Sequence, residues 1–117
     1  MNRITLALGV ALAALVAAAP VAAGPSAATA TTVTVTMKEF KLTLSKTKVP
    51  HGKITFKRVN KGSVGHDFKI AGKKSPMVSP HKTKTFIVTI GKKGKYAYIC
   101  TVPGHAAAGM KGKLTVT

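Results

Sequence analysis

A disulfide-built fold is excluded at the outset, because the 117 residues contain one cysteine, Cys100. Tryptophan is absent, and two Tyr and four Phe are the whole aromatic complement. So few stacking groups argue against specific recognition of nucleic acid, despite the basic composition. Acidic residues are nearly absent too: Glu39 and Asp67 stand alone against 19 Lys and Arg. Two acids leave little room for paired-carboxylate catalysis, and no Ser/His/Asp arrangement is available. No stretch beyond residue 32 carries the period of an amphipathic helix.

Long apolar runs are confined to the N-terminus. Arg3 precedes an uncharged stretch from Ile4 to Ala19, followed by small residues that offer A-x-A-like cleavage points. That layout predicts an export signal over residues 1–23. Residues 24–32, "GPSAATATT", read as a linker, and 33–117 as one small domain. Export predicts a periplasmic or extracellular location, where an unpaired thiol is unusual. Without Arg3 the chain still carries a net charge of +16, nearly all of it Lys. Such a field attracts acidic partners and peripheral anionic membrane surfaces, in a salt-dependent way.

The domain alternates. "TVTVTM" sets Val33, Val35 and Met37 on one face, and "FKLTLS" sets Phe40, Leu42 and Leu44 on one face in the opposite parity. The slip at Lys38–Glu39 predicts a bulge or bend. Ile54 and Phe56, Phe68 and Ile70, Phe86, Val88 and Ile90, Tyr96 and Tyr98, and Leu114 and Val116 continue the pattern. Gly/Pro-rich turns separate the strands, so the expected fold is all-β, a sandwich or barrel. A hairpin through Gly91–Gly94 is expected to pair 83–90 with 95–100, and 53–59 is expected to pair with the strand that begins at His66.

His66, Cys100 and Met110 share the inward parity of their own strands, and His105 lies between the last two. One thiolate, two imidazoles and a thioether make a soft, asymmetric donor set that favours copper. A His2Cys plane with a weak axial Met belongs to blue-copper chemistry, where Met tunes the potential. Three of the four donors come from the segment "CTVPGHAAAGM", with Gly109 expected to let the backbone pass close to the metal. His51 is expected at the opposite end of the fold, as a surface turn residue, and His81 near the rim of the site.

"CTVPGHAAAGM" framed by "GKYAYIC" and "MKGKLTV", with "GHDF" upstream, resembles the cupredoxin family of type 1 blue copper proteins, the plastocyanin, azurin and rusticyanin-like proteins. The resemblance extends from about Val33 to Thr117. It implies a Greek-key β-sandwich, with His66, Cys100, His105 and Met110 as ligands of one copper that cycles between Cu(I) and Cu(II). It also implies an exported, monomeric one-electron carrier rather than an enzyme, since four protein ligands leave no open position for substrate. The alternative is a copper-delivery protein with no electron-transfer role. Electrons would pass by the His105 edge through a collar of Val102, Pro103 and Ala106 to Ala108. Lys82, Lys84 and Lys111 would steer an acidic redox partner there. Asp67 departs from the Asn common in the family after the first His; a carboxylate there is expected to bond the neighbouring backbone and to lower the potential.

Overall fold

A computed structural model describes residues 30–117, so the expected signal segment and most of the linker lie outside the described residues. Among the described residues, nine strands form two sheets. They are β1 (Thr31–Lys38), β2 (Lys41–Leu44), β3 (Lys48–Val49), β4 (Gly52–Asn60), β5 (Lys69–Ile70), β6 (Lys73–Lys74), β7 (Thr83–Ile90), β8 (Gly94–Ile99) and β9 (Lys111–Val116). A single helical turn, α1 (His105–Ala108), is the one helix among the described residues, so none there is long and apolar enough to cross a membrane. One sheet has the order β2-β1-β4-β7 and the other β3-β9-β8-β5-β6. The chain passes repeatedly from sheet to sheet, the winding of a Greek-key sandwich.

The alternating residues fill the space between the sheets. Val33, Val35, Met37, Ile54, Phe56, Val88 and Ile90 enter from the first sheet; Val49, Ile70, Tyr98, Leu114 and Val116 enter from the second. Phe68 links them, with its ring 4.9 Å from that of Phe56 and 5.5 Å from that of Tyr98. Tyr96 is only partly buried and donates its hydroxyl to the Lys92 carbonyl at 2.7 Å.

Several expectations need correction. β1 starts at Thr31, inside the stretch read as linker, because Thr31 and Thr32 already pair in parallel with Ile54 and Thr55. The parity slip at Lys38–Glu39 is the bend, not the bulge, of the two expected forms. It is a tight turn: Met37 faces Leu42 and Lys38 faces Lys41 across the β1–β2 pair. Phe40 therefore leaves the inner face and is 49% exposed. The expected pairing of 83–90 with 95–100 does not form, since β7 pairs with β4 while β8 lies between β9 and β5. Nor does β4 pair with the segment after His66, which belongs to the other sheet. Alternation fixes the face a strand presents but not its neighbour, and these strands belong to opposite sheets instead of lying side by side.

Candidate metal centre

Sheet register brings the donors together. Lys69, Ile99 and Lys111 lie abreast on β5, β8 and β9. One step further along places Cys100 beside Met110, where the Cys100 N–H donates to the Met110 carbonyl at 3.0 Å. His66 stands just ahead of β5 and pairs with Val78 in an isolated bridge, its N–H donating at 3.1 Å and its carbonyl accepting at 2.8 Å. α1 begins at His105, and its turn closes when the Met110 N–H donates to the His105 carbonyl at 3.0 Å. Gly109 has φ +129, and a Cβ there would stand 2.8 Å from the Phe40 carbonyl oxygen. The close approach it permits is thus to the β1–β2 turn, not to the metal position expected from the sequence.

His66, Cys100 and Met110 are fully buried, whereas His105 is part-exposed. Both imidazoles direct Nδ1 inward, 3.1 Å apart. The Cys100 sulfur is 3.9 Å from Nδ1 of His66 and 3.7 Å from Nδ1 of His105. The circle through these three atoms has a radius of about 2.1 Å, close to metal–imidazole and metal–thiolate bond lengths of about 2.0–2.3 Å. At 3.1 Å one ring can donate its N–H to the other nitrogen, and a metal ion at the common point would take the place of that proton. The donors fit a single metal ion. Among the described residues, these three are the one group of His, Cys and acidic side chains so gathered.

The surroundings fix the donors. Burial pushes the Cys100 thiol up, while the backbone N–H groups of Asp67 and Val102 pull it down and the Asp67 charge adds to the rise. Metal binding must therefore displace a proton from this sulfur. Asp67, 1% exposed, accepts the Thr101 N–H at 2.5 Å and the Thr101 hydroxyl. It thereby makes the expected tether between the two loops.

Sequence reasoning missed Glu39. Its Oε1 accepts Nε2–H of His66 at 3.0 Å, and the N–H groups of Ser63 and Val64 at 2.8 and 3.1 Å. Desolvation acts to raise the Glu39 carboxyl, but the bonds from Val64, Ser63 and His66 outweigh it and hold the group at about 2. Next to it, the Phe40 ring meets His105 edge-on, centroids 5.4 Å apart. The only sequence sign of either contact was the break in alternation at Lys38–Glu39.

Arg58 is a second omission. It is fully buried and donates to the Ser75 hydroxyl at 2.7 Å and the Pro76 carbonyl at 2.6 Å. Burial lowers its pKa and the Asp67 charge opposes the shift. His51 lies away from the centre, as expected, with Nδ1–H donating to the Thr117 carbonyl at 2.9 Å. His81 stays outside the donor group, its N–H donating to the Asn60 carbonyl at 2.9 Å.

Comparison with known proteins identifies the family. The family model for the cupredoxin-like domain matches residues 6–116. Rusticyanin of Acidithiobacillus ferrooxidans is 35% identical over 82 residues, which take in 54% of this chain and 43% of rusticyanin. The chain spans about half the length of the curated rusticyanins it matches. The structure of auracyanin B superposes with a TM-score of 0.67 at 22% identity, over 75% of this chain and 89% of the other. Auracyanin A, a "blue" copper protein of the green thermophilic photosynthetic bacterium Chloroflexus aurantiacus, gives 0.58 at 24% identity, over 74% and 99%. A copper nitrite reductase of Nitrosomonas europaea also shares the fold, with a TM-score of 0.57 at 20% identity over 73% of this chain and 41% of its own.

Proposed function

Because this chain belongs to the cupredoxin-like family, we propose that it is an exported blue copper protein carrying single electrons between redox partners, with no enzymatic step of its own. It holds one copper per chain. The observation that carries the reading is the triangle of His66 Nδ1, Cys100 Sγ and His105 Nδ1, closed to water on the Cys100 and His66 sides. Met110, buried beside Cys100, would complete the ligand set as a thioether donor. Copper bound there supplies one-electron chemistry, alternating between Cu(I) and Cu(II).

The residues keep the centre in one shape. Cys100 and Met110 are joined backbone to backbone, His66 is fixed by its bridge to Val78, and Asp67 ties the His66 segment to Thr101. A centre that need not rearrange on gaining or losing an electron transfers it across a small barrier. His105, part-exposed, is the donor nearest solvent, ringed by Val102, Pro103 and Ala106 to Ala108. Lys82, Lys84 and Lys111 are exposed and steer an acidic redox protein toward this collar. The wider lysine surface gives weaker, peripheral attraction to anionic membranes in the periplasm or outside the cell. The protein works as a monomer.

Repeated reduction and oxidation in the presence of a copper(I) chelator tests the carrier reading. Full retention of copper over many cycles is expected, with transfer to an acidic partner slowing as ionic strength rises. Steady loss of copper on reduction would instead make this a delivery protein.

A further inference from the structure

The two imidazoles are held from outside their own loops by one two-residue turn. Glu39 reaches His66, and Phe40 lies against His105. Both residues sit between β1 and β2, in the sheet opposite the one that supplies Cys100 and Met110. Gly62 makes the approach possible, since a Cβ there would overlap the Glu39 carboxylate. A glycine that leaves room for a charged side chain, in a loop whose N–H groups that side chain then collects, indicates a built contact.

We propose that Glu39 is a positioning residue for the metal centre, fixing His66 in the tautomer that turns a bare Nδ1 toward Cys100 and His105. An ionised carboxylate only accepts hydrogen bonds, so the ring proton must sit on Nε2. The Nδ1 lone pair is then free, and the ring cannot flip without breaking the bond. A carboxylate on the far nitrogen also makes the imidazole a stronger donor. That favours the more highly charged Cu(II) over Cu(I) and lowers the potential. The same oxygen holds Ser63 and Val64, so the loop leading into His66 and the ring itself share one anchor. This inference rests on His66 ligating through Nδ1.

The test uses 15N-labelled protein: the parent, Glu39→Gln, Glu39→Ala and Gly62→Ala. The His66 ring tautomer is read by NMR in the metal-free state, Cu(I) affinity by chelator competition, and midpoint potential by titration. The parent should show one tautomer with the proton on Nε2, and its Nδ1 resonance should move when Cu(I) is added. Glu39→Ala should mix the tautomers and lose about 10–100-fold in Cu(I) affinity. Gly62→Ala should do the same with Glu39 still in the chain. Glu39→Gln keeps an acceptor and loses the charge. It should retain the tautomer and raise the potential by about 59 mV, a tenfold shift in a one-electron equilibrium. Parental tautomer and affinity in Glu39→Ala, or a Gln variant as impaired as the Ala variant, would overturn the proposal. An Nδ1 resonance in the parent that ignores Cu(I) would instead remove His66 from the ligand set, and the proposal with it.

Discussion

Substituting alanine at three glycines separates two costs that meet at Gly109. Gly91 has open space around it and no positive φ. Alanine there should leave stability within about 1 kcal/mol, with any gain coming from the unfolded chain. Gly72, at φ +74, also has open space, so alanine meets only the left-handed backbone cost of about 1–2 kcal/mol. Gly109 combines φ +129 with a Cβ position 2.8 Å from the Phe40 carbonyl oxygen. That oxygen is backbone, in the turn that carries Glu39, and it cannot withdraw as a side-chain tip would. Overpacking adds about 1–3 kcal/mol, for a total of about 2–5 kcal/mol. At about 4–8 °C per kcal/mol for a domain of this size, Gly109→Ala should melt at least about 8 °C below the parent. By the same conversion, Gly72→Ala should fall by about 4–16 °C. Thermal unfolding of the metal-free proteins, followed by circular dichroism, reads all three. Copper-loaded samples then show whether displacing the turn weakens the metal's added stabilisation. If Gly109→Ala loses no more than Gly72→Ala, the contact with the β1–β2 turn carries no stability and the bracing of the centre from that side is wrong.

Ala71 has φ +52 in the turn that joins β5 to β6, so Ala71→Asn should raise stability by about 0.5–1 kcal/mol; an unchanged midpoint in urea would reject the strain. Arg58→Met removes the donor to the Ser75 hydroxyl and the Pro76 carbonyl and should cost about 1–3 kcal/mol. Equal or greater stability would mean that desolvation of the guanidinium outweighs its hydrogen bonds. Asp67→Asn neutralises a buried anion beside the thiol, so the midpoint potential should rise by about 59 mV, a tenfold change. No change in the potential would confine Asp67 to its tether on Thr101.

The donors were legible in the sequence because alternation is local. Val33 through Met37, Ile54 with Phe56, and Tyr98 with Cys100 each declare a face, and the structure keeps those faces. His66, Cys100 and Met110 followed the same rule inward. The same parity places Arg58 inside with Ile54 and Phe56. Strand partners were not legible, since β7 and β8 alternate alike whether they pair or face each other across the core. Glu39 was hidden for a different reason. Its role depends on a β1–β2 turn that carries it across to a loop beginning more than twenty residues later, and on the room left by Gly62. No periodicity reports such a contact.

The most direct measurement is the visible spectrum of the protein with one equivalent of Cu(II), recorded beside Cys100→Ser. An intense thiolate-to-copper band in the parent, absent in the variant, is the predicted result. A colourless parent, or a band that survives loss of the Cys100 sulfur, would contradict a copper centre built on that thiolate.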